Sequence, residues 1–283
     1  MRNLKQEFQE KGFVVLNRVL DEETIQFYIK KLYEVGTGKI KKSWTIPDGV
    51  VANEAFWPVI FNETVLKNVR EILGDEAKFL QHNDLHLGYS SFAWHRDGIN
   101  RSYKADWPDW QENTEPYELM RCGFYLQPEA NDFHLGVLPG SHRLSGLISE
   151  EEFLTYDQKL SNVENVKAKL GLKDYLKEKA EWIKTKPGDC ILFDPRLIHT
   201  GGEFEAEKYS FFVAYGNKNR HFDQHYTYYR YLRRDLHYKA IPNTLVEQLK
   251  AQKLYAGEEK YRQKIDGAWI PSTAFSFVAN FFE

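Results

Sequence analysis

The N-terminal part of the chain combines one short apolar run with two stretches of helical periodicity. Residues 12–16 are almost continuously apolar, which predicts a short buried strand. Asp21 is placed to cap a helix, because apolar side chains follow it at helical spacing until Gly36 can end it. The same reasoning predicts a second helix between Asn62 and Gly74.

From about residue 78 the pattern changes to the alternation of apolar and polar side chains that is typical of β-strands. Further strand-like runs occur at 121–127, 136–141, 182–184, 190–194 and 208–216. Residues 148–180 are charged and helix-compatible, so we expect them to leave the sheet. This order predicts a mainly β fold, a sandwich or jelly-roll core with helices packed outside. No linker is visible, so we expect a single domain over 1–283, with the barrel core at about 78–216.

Bulk composition excludes some classes of function. A net charge of −3 gives no support for a nucleic-acid partner. No apolar run is long enough to span a bilayer, and the first residues lack the apolar stretch of a signal peptide. We therefore expect a cytoplasmic protein without a membrane partner. Cys122 and Cys190 are too few for a disulfide framework and are expected to be buried free thiols.

His95, Asp97 and His199 are candidate metal ligands. Two imidazoles and one carboxylate form the ligand set of the non-haem iron facial triad, which leaves metal positions open for a co-substrate and dioxygen. His95 and Asp97 are two residues apart, so on a strand they would share one face. His199 follows a predicted turn and strand at 187–195, and we expect it on another strand folded over the first.

A 2-oxo acid that chelates such an iron also needs a cation and a hydroxyl group for its far carboxylate. Lys208 and Ser210 lie at the start of the next predicted strand after His199 and share one face of it. Both could therefore reach the same anion. The alternative is that Lys208 is an ordinary lysine at the edge of a sheet.

With these residues in these positions, the chain resembles the phytanoyl-CoA dioxygenase-like branch of the Fe(II)/2-oxoglutarate-dependent oxygenases. The matching segments are 8–15, 94–97, 137–143, 186–189 and the segment around His199. The resemblance implies a double-stranded β-helix, a jelly-roll or cupin-like fold, with Fe(II) held by His95, Asp97 and His199. It also implies 2-oxoglutarate as co-substrate.

The chain departs from this family at the expected 2-oxoglutarate anchor. The family usually has an arginine near the position of Lys208, often followed by Ser210 in an Arg-x-Ser pattern. Lysine can hold a carboxylate through a charge-assisted hydrogen bond, but it lacks the bidentate fork of arginine. Arg121 and Arg220 are therefore kept as alternative anchors.

Together these features predict a dioxygenase that hydroxylates an unactivated C–H bond of a small polar or anionic metabolite and releases succinate and carbon dioxide. Two alternatives remain open, a catalytically silent ligand-binding barrel and a zinc hydrolase that uses the same three ligands. Residues 100–118 are expected to form either a lid or a packing loop. The C-terminal segment 217–283 is expected to form a substrate rim or an oligomer contact, and the oligomeric state stays open.

Overall fold

The computed structural model describes residues 3–36, 44–89, 93–128, 133–144, 146–160, 172, 174–201, 207–257, 265 and 267–269. The α-helices are α1 (Leu4–Lys11), α2 (Glu22–Val35), α3 (Gly49–Ala52), α4 (Glu63–Leu73), α5 (Glu150–Lys159), α6 (Tyr175–Lys179), α7 (Arg220–Thr227) and α8 (Asn243–Ala251). The strands are β1 (Phe13–Leu16), β2 (Trp44–Pro47), β3 (Lys78–Tyr89), β4 (Leu119–Tyr125), β5 (His134–Val137), β6 (Glu181–Lys184), β7 (Asp189–Phe193), β8 (His199–Thr200) and β9 (Glu207–Gly216). Short 3₁₀ helices lie at Glu54–Phe61, Pro108–Trp110 and Arg234–Leu236, and a π-helical turn lies at Tyr228–Leu232.

The strands form two antiparallel sheets. The larger sheet has the order β1-β7-β4-β9-β3-β2, and the smaller has the order β6-β5-β8. Phe193 and Phe212 of the larger sheet pack against Leu135 and Ile183 of the smaller one in a shared apolar cluster. The strands therefore enclose an interior between two sheets, as predicted for a sandwich or jelly-roll core.

The opposite face of the larger sheet is covered by helices α1 to α4. Cys122 and Phe124 point to this outer face and belong to one apolar cluster with residues of all four helices. Phe211 on β9 lies at its centre, with its ring centroid 5.1 Å from that of Tyr28 and 5.7 Å from that of Phe56. Because side chains alternate along a strand, each central strand gives one set of residues to this core and the other set to the interior.

The two predicted N-terminal helices are confirmed, together with their ends. Asp21 accepts a hydrogen bond from the backbone N–H of Thr24 at 2.8 Å, and Asn62 accepts one from Val65 at 3.0 Å. Gly74 ends α4 with a positive φ of 97°. The local capping chemistry was therefore sufficient to place both helices.

Other predictions have a mixed outcome. Cys122 and Cys190 are free and buried, as expected. Residues 148–180 were expected to be helical and to leave the sheet, and the structure places α5 and α6 in this range. Residues 161–171 and 173 lie outside the described residues. Strand β2 and the 3₁₀ helix Glu54–Phe61 had no predicted counterpart. In the described part of the chain, no helix combines the length and apolar character needed to cross a membrane.

Candidate metal centre

The three predicted metal ligands lie together although His199 is far from the other two along the chain. One ligand atom from each of His95, Asp97 and His199 lies within 4.8 Å of the others. Nε2 of His95 is 3.6 Å from Oδ1 of Asp97, and Nε2 of His199 is 3.7 Å from Oδ2. In the described part of the chain, no other group of histidine, cysteine and acidic side chains has this geometry.

Backbone pairing brings these side chains together. His95 and His199 form an antiparallel bridge in which each backbone N–H donates to the carbonyl oxygen of the other at 3.0 Å. Asp97 lies just beyond this bridge, where its N–H donates to the Pro195 carbonyl at 2.7 Å. The prediction that His95 and Asp97 share one strand is therefore wrong in detail, because of these two residues only His95 has a strand partner among the described residues. Residues 90–92 lie outside the described part.

Both imidazoles are oriented by their second ring nitrogen. Nδ1 of His95 is 2.7 Å from the Ala93 carbonyl oxygen, and Nδ1 of His199 is 3.0 Å from that of Leu197. A carbonyl can only accept, so each Nδ1 carries the proton and each Nε2 presents a lone pair. This arrangement is the usual outer support of a metal-bound histidine.

The protonation states also suit a divalent metal. Burial lowers the pKa of both His95 and His199, so both rings are neutral near pH 7 and can act as ligands. Burial alone would raise the pKa of Asp97, but the Arg121 guanidinium beside it holds the pKa of that carboxyl well below its usual range. Two neutral imidazoles and one carboxylate fit iron, and they fit zinc equally well.

Arg121 lies on the interior face of β4 and binds two carboxylates. Its Nη1 donates to Oδ2 of Asp97 at 2.6 Å, and its Nη2 donates to Oδ2 of Asp84 on β3 at 2.5 Å. The guanidinium carbon also lies 4.9 Å from the ring centroid of Phe212. Both terminal nitrogens of Arg121 therefore bind carboxylates beside the candidate metal ligands.

Lys208 and Ser210 share one face of β9 and point into the interior. Ser210 pairs in register with Tyr125 on β4, and paired side chains of antiparallel strands share one face. The hydroxyl groups of Ser210 and Tyr125 are buried without a hydrogen-bond partner among the described residues. The Lys208 side chain is only 9% exposed, and burial lowers the pKa of its ammonium to about 8. One cation and two unsatisfied hydroxyl groups thus face the same space, and Tyr125 was not predicted.

Phe212 lies between the two buried cations. Its ring centroid is 5.0 Å from Nζ of Lys208 and 4.9 Å from the guanidinium carbon of Arg121. The ring reaches across β4 because Gly123 has no side chain, and a Cβ at Gly123 would lie 2.5 Å from it. The ring of Phe212 therefore contacts both buried cations on the interior face.

The remaining predicted residues lie elsewhere. Arg220 begins α7, where its guanidinium donates to the Gln111 carbonyl and its backbone N–H donates to Glu115. The loop at 100–118 packs through Trp110 against the guanidinium groups of Arg96 and Arg196, 5.1 Å and 5.5 Å from its ring centroid. These contacts favour the packing-loop interpretation over a lid.

Tyr229, in the C-terminal segment 217–283, contacts one of the candidate metal ligands. The hydroxyl of Tyr229 donates to the backbone carbonyl of Asp97 at 2.9 Å, and its ring stacks on His82 at a centroid distance of 3.6 Å. His82 in turn lies 2.9 Å from His225, Nδ1 to Nε2. Nothing in the sequence pattern predicts that a tyrosine of this segment lies beside Asp97. Residues 258–264, 266 and 270–283 of this segment lie outside the described part.

Comparison with known proteins identifies a family. The sequence model of the family described as phytanoyl-CoA dioxygenase (PhyH) matches residues 8–209. This range includes all three candidate metal ligands and Lys208, and it confirms the resemblance noted in the sequence. No curated protein matches the sequence.

Several solved structures have a similar fold. HygX from Streptomyces hygroscopicus, solved with nickel and 2-oxoglutarate bound, has a TM-score of 0.55 at 17% identity, over 77% of this chain and 87% of that one. The alpha ketoglutarate dependent carbocyclase SnoK from nogalamycin biosynthesis has a TM-score of 0.52 at 12% identity, over 77% and 84%. The epimerase SnoN from nogalamycin biosynthesis has a TM-score of 0.51 at 12% identity, over 76% and 81%. These similarities confirm the jelly-roll fold with flanking helices.

Proposed function

The chain belongs to the phytanoyl-CoA dioxygenase family, and on that premise we propose that it hydroxylates an unactivated C–H bond of a small polar or anionic metabolite. Non-haem iron enzymes of this family use Fe(II) and 2-oxoglutarate, so the predicted cofactors are confirmed at the level of the family. The hydroxylation reaction and the substrate class go beyond the family assignment and are proposals.

The observation that carries the proposal is the convergence of His95, Asp97 and His199 within 4.8 Å. In the proposal these residues hold the iron, which together with 2-oxoglutarate and dioxygen supplies the oxidising chemistry that yields succinate and carbon dioxide. Asp97 also argues against halogenation, because in related halogenases a small residue replaces the carboxylate ligand.

Lys208, Ser210 and Tyr125 are proposed to bind the distal carboxylate of 2-oxoglutarate. An ammonium and two hydroxyl groups can donate three hydrogen bonds to one carboxylate, and the two hydroxyl groups have no other partner among the described residues. We therefore assign the anchor to Lys208 and not to Arg121, whose two terminal nitrogens already bind Asp97 and Asp84.

The substrate is proposed to approach beside His95. The His95 side chain is 32% exposed, whereas that of His199 is 9% exposed, so the centre is reached from the His95 side. Burial and His199 lower the pKa of His95, and Arg101 adds to this effect, which places a positive charge near that side. Arg101 stacks on Trp269 at 4.0 Å from the ring centroid. A cation on an aromatic ring suits a polar or anionic molecule.

The test is a succinate-release assay with protein purified without oxygen and loaded with Fe(II). It uses 2-oxoglutarate, a panel of polar and anionic metabolites, and mass spectrometry to detect a product with one added oxygen atom. His199→Ala is the control that lacks a metal ligand. We expect succinate and hydroxylated product from the wild-type protein and neither from the variant.

The same experiment separates the other functions. Products that are isomerised or cyclised would replace hydroxylation with the type of chemistry named for SnoN and SnoK. Succinate at the level of His199→Ala with every substrate would favour the silent binding barrel. Purification with stoichiometric zinc and no dependence on iron would favour the hydrolase, in which Lys208 and Ser210 would have no role.

A further inference from the structure

We propose that Arg121 and Asp84 form a brace that positions Asp97 and thereby sets the metal affinity of the centre. This inference rests on the proposed function only in that Asp97 must be a metal ligand. The brace is defined as the chain of two hydrogen bonds from Asp97 through Arg121 to Asp84, at 2.6 Å and 2.5 Å.

The geometry gives Arg121 control of the Asp97 carboxylate. Among the described residues, Arg121 is the hydrogen-bond donor to this side chain, and it binds Oδ2. The backbone of Asp97 is held separately, by Pro195 and by the Tyr229 hydroxyl. The main chain is therefore fixed without Arg121, whereas rotation of the carboxylate depends on it.

Arg121 needs Asp84 in order to hold this position. Its side chain is 5% exposed, and a guanidinium in that environment needs compensating charge. Asp84 supplies it from β3, across β9, and the fork of the guanidinium allows both carboxylates to be bound at once. Tyr238 approaches Asp84 on its other side, 3.5 Å from Oδ1.

A purely electrostatic role predicts a different result from a positioning role. If only charge mattered, removing the Arg121 cation would tighten binding of a divalent metal, and removing the Asp84 anion would weaken it. Removing both would leave the net charge and the affinity unchanged. If the brace positions Asp97, each single change and the double change must weaken metal binding, because all three release the carboxylate.

The experiment measures the dissociation constant for Mn(II) by electron paramagnetic resonance of the free ion, without turnover. We expect Arg121→Gln and Asp84→Asn each to weaken binding about 10–100-fold, the range usual for outer partners of metal ligands. The double variant should be no weaker than Arg121→Gln alone, because the two residues act as one unit. Arg121→Lys should be intermediate, since an ammonium cannot form the fork.

The matched control is Asp48→Asn. Asp48 is also a buried carboxylate and binds Gln81, Asn83 and the backbone of Lys239, but it contacts neither Arg121 nor a metal ligand. Its Mn(II) affinity should equal that of the wild-type protein. Circular dichroism establishes that each variant is folded. If Arg121→Gln is not folded, Arg121→Lys carries the test, because it keeps the charge but loses the fork, so that a purely electrostatic role predicts unchanged Mn(II) affinity and the brace predicts weaker binding.

Other outcomes would contradict either the brace or the metal site. Unchanged or tighter Mn(II) binding in folded Arg121→Gln, or wild-type affinity in the double variant, overturns the brace and leaves the metal site intact. Equal Mn(II) binding by the wild-type protein and His199→Ala, or none by the wild-type protein, overturns the metal site itself and the brace with it.

Discussion

The two faces of the larger sheet are made by the same strands and have opposite characters. On β9, Phe211 and Val213 face the helices in a largely apolar core, whereas Lys208 and Ser210 face the interior. The outer face is filled mainly with apolar side chains, and the hydroxyl groups of Tyr209 and Tyr215 on this face have hydrogen-bond partners in Tyr33 and the Ile60 carbonyl. The inner face holds buried charges and hydroxyl groups, two of which lack a partner among the described residues.

The difference between the faces separates stability from function. Apolar burial stabilises the fold through area and close packing, and its loss is felt throughout the domain. Buried polar groups without partners cost free energy in the free protein and are useful only if a ligand satisfies them. Changes on the outer face should therefore affect unfolding, and changes on the inner face should affect ligand binding.

The largest effect is expected for Phe211→Ala on the outer face. The Phe211 ring packs against those of Tyr28, Phe56 and Phe124, so its removal should lower the free energy of unfolding by about 3–5 kcal/mol. Urea denaturation measures this loss. Affinity for 2-oxoglutarate, measured on the folded protein, should be unchanged, and a parallel loss of affinity would contradict the separation of the two faces.

Next in size is Lys208→Met on the inner face. Removing the cation should weaken 2-oxoglutarate binding by about 1.5–3 kcal/mol, or roughly 10–100-fold, the usual worth of a hydrogen bond to a charged group. Isothermal titration calorimetry on the Mn(II)-loaded protein measures the affinity. The metal affinity serves as the control and should not change. Unaltered 2-oxoglutarate affinity would move the anchor to another residue.

The pH dependence of 2-oxoglutarate binding sharpens the same assignment. Burial lowers the pKa of Lys208 to about 8, so the free site loses this charge as the pH rises above that value. The bound dicarboxylate favours the ammonium form, and binding then requires uptake of a proton. Affinity should fall about tenfold per pH unit above pH 8, or about 1.4 kcal/mol per unit. The same titration of Lys208→Met should lack this slope.

The smallest effect is expected for Ser210→Ala, the residue next to Phe211 on the same strand. Loss of one neutral hydrogen bond should weaken 2-oxoglutarate binding by about 0.5–1.5 kcal/mol, or roughly 2–10-fold. The free energy of unfolding should hardly change, because the hydroxyl has no partner among the described residues. A stability loss like that of Phe211→Ala would show that the two faces are not independent.

Local signals were enough to predict α2, α4 and most strands, but not α1, α3, α7 or α8. Asp21 and Asn62 carry the capping side chains of α2 and α4 within three residues of the groups they bind. The 3₁₀ helix Glu54–Phe61 was missed because Pro58 lies inside an apolar stretch without clear periodicity. Strand β2 also includes a proline and is held mainly by its pairing with β3.

The candidate site was predictable where residue types alone define it. His95, Asp97 and His199 stand out by chemistry, and the structure brings them together. Tyr125 could not be found in this way, because it faces Ser210 only through the register of β4 and β9. The partner of Arg121 is equally non-local, and it depends on strand order. Charged residues at interior strand positions, such as Asp84 in an alternating run, are the signal that was available.

Strand order also determines when the protein can mature during synthesis on the ribosome. The two parts of the larger sheet, β1-β7-β4 and β3-β2, are joined only by β9, so the sheet cannot be completed until translation has reached Gly216. Non-local pairing of this kind delays folding and leaves apolar strands uncovered in the nascent chain. Since His95 finds its backbone partner only at His199, the proposed metal centre cannot form before His199 has been translated.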